Sequence, residues 1–261
     1  AIKIDPYVNV DAGTMNPTEH GEIFVLDDGM ECDQDMGNYE RFLEKDLTRV
    51  NYMTTGSVYL SVIENERSLK YGGRFVSVVP DIPLEVIEKI NIAVKKNNAE
   101  VVLTEIGGTA GEYENILFLE AVKILRLKKP NDVILVLVSF LPIQGSDNEL
   151  KTKPTQHAVR ALNSAGLQPD IIIARAKVPL DQKRKEKIAF HCSIREEDVI
   201  SAPDIESIYD VPINFEKDNL GANILQKLGL KPSAHNFEEW QSMVDRIHKS
   251  TKPVRIGIVG K

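Results

Sequence analysis

The sequence predicts an α/β protein whose core is an open, mostly parallel sheet with helices on both faces. Two observations carry that prediction. From about residue 80 onward, apolar runs alternate with amphipathic stretches at helical spacing, the order of a β-α-β protein. The runs are continuously apolar, as in strands buried on both faces of a parallel sheet. The 261 residues, 42% hydrophobic and 27% charged, are ample for such a core.

The chain opens on "AIKIDPYVNV", a strand with apolar alternation. Up to about residue 80 it then shows glycine turns, dense acids and little helical period outside 39–48, so loops and edge elements around a site are expected there. "DIPLEVIEKINIAVKKN" carries Val86, Ile90, Ala93 and Val94 at helical spacing, with Pro83 in a first-turn position. "AEVVLTEIGG" is a β-rich run closed by two glycines, and "EYENILFLEAVKILRLKK" is a long amphipathic helix stopped by Pro130. Next come the strand "DVILVLVSFLP", a helix over about 154–165, the strand "PDIIIARA", the helix "LDQKRKEKIAFHC" and the short strand "DVISAP". After Val211 the chain turns helical and more polar. "NFEEWQSMVDRIHKS" places Phe237, Trp240, Val244 and Ile247 on one face, and "TKPVR" reads as a linker. Both ends look cut, because nothing caps the first strand and "KPVRIGIVGK" begins a strand that stops at Lys261. An internal piece of a longer protein is therefore expected.

Composition narrows the function. The net charge of −7 argues against nonspecific nucleic-acid binding. The charge is also local. Residues 1–50 hold twelve Asp or Glu against four Lys or Arg, a net of −8, so the remaining residues sum to about +1. An apolar run of about ten residues, within 133–143, is too short to cross a bilayer. Cys32 and Cys192 lie far apart and outside any metal spacing, so a reduced, cytoplasmic setting is expected. No G-x-x-x-x-G-K-[ST] loop, dinucleotide fingerprint or nucleophile elbow is present, and the five histidines lack metal spacing. His20 reads equally as a polar lining of a passage or as a surface residue.

Open parallel sheets bind ligands beyond the carboxyl ends of their strands, and polar clusters fall there. Glu105 ends a strand otherwise made of Val101, Val102 and Leu103, ahead of two glycines that let backbone approach a ligand. A carboxylate so placed either holds Mg²⁺ or caps a turn. In the acidic loop 27–40, Asp33 and Asp35 point one way in extended chain and could supply a partner carboxylate, yet the loop lacks the EF-hand pattern, and the residues by themselves favour a solvated turn. "ELKTKPTQH" (149–157) follows a buried strand. Pro154 suits a first helical turn, Lys151 and Lys153 project from one side, and the N–H groups of Thr155 and Gln156 face the helix N-terminus. Donors, dipole and ammonium groups together suit a phosphate; solvation of the lysines is the alternative.

With these clusters assembled, the sequence resembles the amidoligase (synthetase) domain of the CTP synthase family. The matching motifs are "KIDPYVNVDAGTMNPTEHGEIFVLDDG", "DQDMGNYERF", "TEIGGTAGE", "ELKTKPTQHAV" and "ESIYDVP", in family order across essentially the whole chain. The resemblance implies a P-loop-type α/β fold over 1–250, with 251–261 the linker and first strand of a glutaminase domain. It implies a ligase of pyrimidine biosynthesis. UTP is aminated to CTP through a 4-phosphorylated intermediate at the expense of ATP, and ammonia comes from glutamine hydrolysed in the protein's own glutaminase domain. Mg²⁺ as cofactor, CTP as feedback inhibitor and a cytoplasmic homotetramer with neither nucleic acid nor membrane partners are implied with it.

Residue by residue, Lys3, Asp35 and Glu105 resemble the catalytic set, with Asp35 and Glu105 as Mg²⁺ ligands. Lys3, Asp35, Pro203, Asp204 and Ile205 correspond to the ATP site. Lys151, Thr152, Lys153, Pro154, Thr155, Gln156 and Lys187, with Glu112, Tyr113 and Glu114, correspond to the UTP/CTP site. Pro17, His20 and Ile23 correspond to the ammonia passage, and Tyr71–Phe75 to a nucleotide lid or interface. The chain departs from the family at Glu112, where aspartate is usual, and at Asp81, where histidine is frequent. The family's first strand and glycine-rich loop, which precede "KIDPY", are not in the sequence, so these residues alone are expected to be inactive. The alternatives are a non-catalytic nucleotide-binding paralogue and a P-loop synthetase of the dethiobiotin synthetase kind.

Overall fold

The first strand, β1 (Ile2–Asp5), is buried at all four positions although only two are apolar. The period of two sends Ile2 and Ile4 to one face and Lys3 and Asp5 to the other. The structure, a computed structural model, describes residues 1–21, 23–145, 149–232 and 236–259; the side chains of Pro17 and His20 also lie outside the described residues. The chain packs as two units, residues 1–133 with 158–168, and residues 134–157 with those from 169 onward.

In the first unit, β1 is followed by α1 (Pro17–His20), the antiparallel pair β2 (Ile23–Val25) and β3 (Glu31–Asp33), and α2 (Asp35–Leu43). Then come β4 (Tyr52–Thr54), α3 (Thr55–Arg67), α4 (Val78–Asn97), β5 (Thr104–Ile106) and α5 (Ile116–Lys128). The parallel sheet has the order β4-β1-β5. Ile2 and Ile4 enter a core with Met53, Val58, Val62, Val86 and Phe118 from β4, α3, α4 and α5. A second cluster, Leu26, Cys32, Met36, Leu47 and Tyr52, packs β3 and α2 beside β4. Val79 breaks the helical dihedrals near the start of α4, so Pro83 falls in the first turn of the regular helix, as expected. β5 is shorter than its apolar run suggests. Only β1 pairs with it among the described residues, and Val101 and Leu103 remain 48% and 62% exposed.

In the second unit, β6 (Val136–Leu141) leads into the small pair β7 (Ile143–Gln144) and β8 (Glu149–Leu150) and then into the start of α6 (Lys153–Ser164), whose residues from 158 on belong to the first unit. β9 (Ile171–Ala176), α7 (Gln182–Cys192), β10 (Val199–Pro203), α8 (Asp210–Glu216), α9 (Leu220–Lys227) and α10 (Glu238–Lys249) follow. Its parallel sheet has the order β10-β9-β6, with Ile171, Ile200 and Leu220 at the centre of the core. The Trp240 indole N–H donates to Tyr209 O and Val244 is buried, which docks α10 as its apolar stripe predicted. Residues 251–259 carry no regular structure and are exposed. The parallel strands and flanking helices give the α/β class that the alternation predicted.

Candidate functional site

The polar face of β1 organises the densest charge cluster in the first unit. The sheet register sets Lys3 opposite Glu105 on β5 and opposite Tyr52 on β4, so these side chains form one row across the sheet. Lys3 is 5% exposed, and its ammonium donates to Asp35 Oδ2 and to Glu105 Oε1 (2.8 Å), with Asp5 Oδ1 3.8 Å away. Asp35 reaches this point because it opens α2. Its N–H donates to Asp33 Oδ1 (2.8 Å), and the next residue, Met36, is fully buried. The Tyr39 hydroxyl, one turn along α2, donates to the other oxygen of Glu105. Below Lys3, Asp5 accepts from the Tyr52 hydroxyl (2.7 Å) and from Tyr7 (3.2 Å), and the two tyrosine hydroxyls also bond each other.

The protonation states follow from burial and pairing. Burial works to lower the pKa of Lys3, but hydrogen bonds to Asp35 and Glu105 and the charges of Glu105 and Asp5 outweigh it, so the ammonium is held charged well above its usual range. Burial pushes the Asp5 carboxyl up, opposed by the Tyr52 hydrogen bond and the Lys3 charge. Burial, then neighbouring acids or hydroxyls, raises Tyr39 and Tyr52, which therefore act as neutral donors. Among the described residues no three His, Cys, Asp or Glu side chains gather as a metal-binding group. Two converging carboxylates nonetheless fit Mg²⁺ in the way it is commonly held, by one or two carboxylates together with substrate phosphates and water.

In the second unit the stretch 149–157 adopts the predicted strand-to-helix turn. Pro154 is the second residue of α6. The N–H of Gln156 already donates to Thr152 O (3.2 Å), so it belongs to the helix ladder and is not the free donor expected from sequence. The Thr155 hydroxyl is buried against Ser139 Oγ (2.9 Å), which leaves only its backbone for a ligand. Gln156 is 2% exposed; its amide donates to Thr152 Oγ1 (3.1 Å) and its buried Oε1 finds no hydrogen-bond partner among the described residues. Lys151 pairs with Glu149, while Lys153 and Lys187 are exposed. The Glu149 carboxyl is held below its usual range first by the hydrogen bond and charge of Lys151, with smaller contributions from the charges of Arg184 and Lys187.

The family model described as CTP synthase N-terminus matches residues 1–230. The chain belongs to the CTP synthase family. Over its whole length it is 45% identical to a CTP synthase of Methanosarcina barkeri, 46% to one of Methanococcus maripaludis and 44% to one of Sulfolobus acidocaldarius, covering 49% of each. It thus spans about half the length of these curated relatives. A synthetase of the dethiobiotin kind is set aside by this match.

Of the positions that the CTP synthase motifs single out, the structure brings Lys3, Asp35 and Glu105 together. No hydrogen bond or ion pair found among the described residues ties Glu112, Tyr113 or Glu114 to them. Glu112 closes its own turn by accepting from Thr109 N (3.1 Å), and Tyr113 is 93% exposed. Pro203 ends β10, Asp204 N donates to Ala176 O (2.9 Å), and Asp204 lies 3.6 Å from Arg175. Ile23 is half-buried on β2; Pro17 and His20 have side chains outside the described residues. Asp81, the departure from histidine, is buried and accepts from Arg74 and from Ser77 N (2.8 Å). The CTP synthase motifs led to Lys3 and Asp35 but passed over Asp5, Tyr7, Tyr39 and Tyr52. Asp5 was legible as the next polar position on the same strand face, and Tyr39 as the residue one helical turn past Asp35.

Proposed function

We propose that this protein carries the synthetase chemistry of a CTP synthase, the ATP-dependent amination of UTP to CTP through a 4-phosphorylated UTP. The observation that carries the reading is the row of Lys3 and Glu105 across the sheet, with Asp35 brought to the same ammonium. In this reading Asp35 and Glu105 hold Mg²⁺, which when bound with ATP neutralises phosphate charge. Lys3 offers a fixed cation to the same phosphates, and Asp5 with its two tyrosines orients Lys3. Pro203, Asp204 and Ile205 contact the adenine. Lys151, Lys153, Lys187 and the backbone of 152–156 hold the triphosphate of UTP, or of CTP when the product inhibits. Glu112, Tyr113 and Glu114 contribute to CTP recognition, Pro17, His20 and Ile23 line the ammonia path, and ammonia comes from glutamine in a glutaminase domain. A cytoplasmic homotetramer belongs to the same reading.

The 261 residues contain no glycine-rich phosphate loop, so by themselves they are expected to bind pyrimidine nucleotide without turning over ATP; CTP formation from UTP, Mg–ATP and ammonium by these residues alone would refute that point. Nucleotide specificity is tested by calorimetry. UTP and CTP should compete for one site, and replacing Lys151 and Lys153 together by Ala should weaken both by about tenfold or more, as expected for losing two charge-assisted contacts. Equal binding by the double variant would contradict the assignment.

A further inference from the structure

The Lys3 ammonium stands at the point on which the two candidate metal ligands converge. Asp35 Oδ2 and Glu105 Oε1 both accept from it, and the second oxygen of Glu105 is taken by the Tyr39 hydroxyl. While Lys3 stays, Glu105 has both oxygens engaged. Three carboxylates, Asp5, Asp35 and Glu105, surround this one ammonium, so the cluster has a formal charge of −2, which a divalent cation matches. Coulomb repulsion disfavours the ammonium and a divalent cation on the same two oxygens.

Resting on the reading of Asp35 and Glu105 as metal ligands, we propose that Lys3 is a resident counter-cation that keeps the divalent metal's place and must leave the two carboxylates for the metal to enter. A metal ion arriving alone would leave a buried ammonium stripped of two partners, which is costly. A metal ion arriving on a polyphosphate brings a new partner for that ammonium. The exchange therefore couples the two ligands: bare metal binds weakly, metal with polyphosphate binds well, and by reciprocity each strengthens the other.

The test is titration of the protein with Mn²⁺ alone, followed by electron paramagnetic resonance. Lys3→Met should bind Mn²⁺ at least tenfold more tightly than the wild type, whereas Lys3→Arg, which keeps the charge, should bind as weakly as the wild type. Lys3→Gln gives the same comparison if the methionine variant does not fold. Neutral variants that bind Mn²⁺ no better than the wild type would overturn the exchange. Adding Asp35→Asn and Glu105→Gln to the neutral variant separates the two layers: loss of the gain supports both, and Mn²⁺ binding that ignores these substitutions removes the metal assignment itself.

Discussion

At the scale of single residues, the account rests on charges held in place by neutral donors. Tyr52→Phe deletes the hydroxyl that donates to buried Asp5 at 2.7 Å and leaves that carboxylate with Tyr7 at 3.2 Å. A loss of about 1–3 kcal/mol in unfolding free energy is expected, the cost of an under-satisfied buried acceptor, measurable by urea denaturation. Asp81 gives a pH signature. The Arg74 guanidinium, helped by the Ser77 N–H, holds its carboxyl below the usual range. A depressed carboxylate contributes stability that is present above its unfolded pKa of about 3.9 and lost as pH falls through the lower folded value. Arg74→Ala should shrink this acid-side loss, read as the thermal midpoint against pH. Glu105 was legible from its place at a strand end ahead of two glycines, and Asp35 as one reading of the acidic loop, whereas Lys3 was reached only through the family motifs, because a buried lysine has no local pattern of its own. Tyr52 had no signal at all: it meets Lys3 and Asp5 through sheet register, which sequence spacing does not encode.

At the scale of elements, close backbone approaches position the site. A Cβ on Gly56 at the start of α3 would lie 1.9 Å from Val8 O, against backbone of the loop after β1. A Cβ on Gly37 in α2 would lie 2.8 Å from the Phe24 ring, a side chain able to turn aside. Gly56→Ala should therefore cost more than Gly37→Ala, toward or beyond the upper end of the ~1–3 kcal/mol typical of overpacking, with thermal denaturation as the measure. Thr54 caps α3 through Ser57 N (2.9 Å) and also donates to Asn9 O (2.6 Å), so Thr54→Ala should lose a cap worth about 1 kcal/mol and loosen the same loop. Helices beyond residue 80 were the most legible elements, whereas α3 (Thr55–Arg67) formed where loops and edge elements were expected. α6 and α7 lie within a residue or two of their expected spans, because Pro154 and the Asp181 cap mark their starts. Strand lengths were less legible. β5 covers only Thr104–Ile106, since a strand extends only where a neighbour pairs with it.

At the scale of the whole molecule, the chain carries two charge centres of different chemistry. The acidic one lies on the face of β1, where Asp5 and Asp35 from the acidic first fifty residues meet Glu105 around Lys3. The basic one centres on Lys151, paired with Glu149 just ahead of α6, and on the exposed Lys153 that opens that helix. The proposed reaction uses both, the first for the metal and phosphates of ATP and the second for the triphosphate of UTP, so damage to each should leave a different kinetic mark. The measurement is the steady-state rate of CTP formation from UTP, Mg–ATP and ammonium, on the protein as the cell makes it. Asp35→Asn or Glu105→Gln should lower the maximal rate on the order of a hundredfold or more. Replacing Lys151 and Lys153 by Ala should chiefly raise the UTP concentration needed for half-maximal rate. An undiminished rate in the Asp35 and Glu105 variants would contradict the assignment of the β1 face as the site of phosphoryl chemistry.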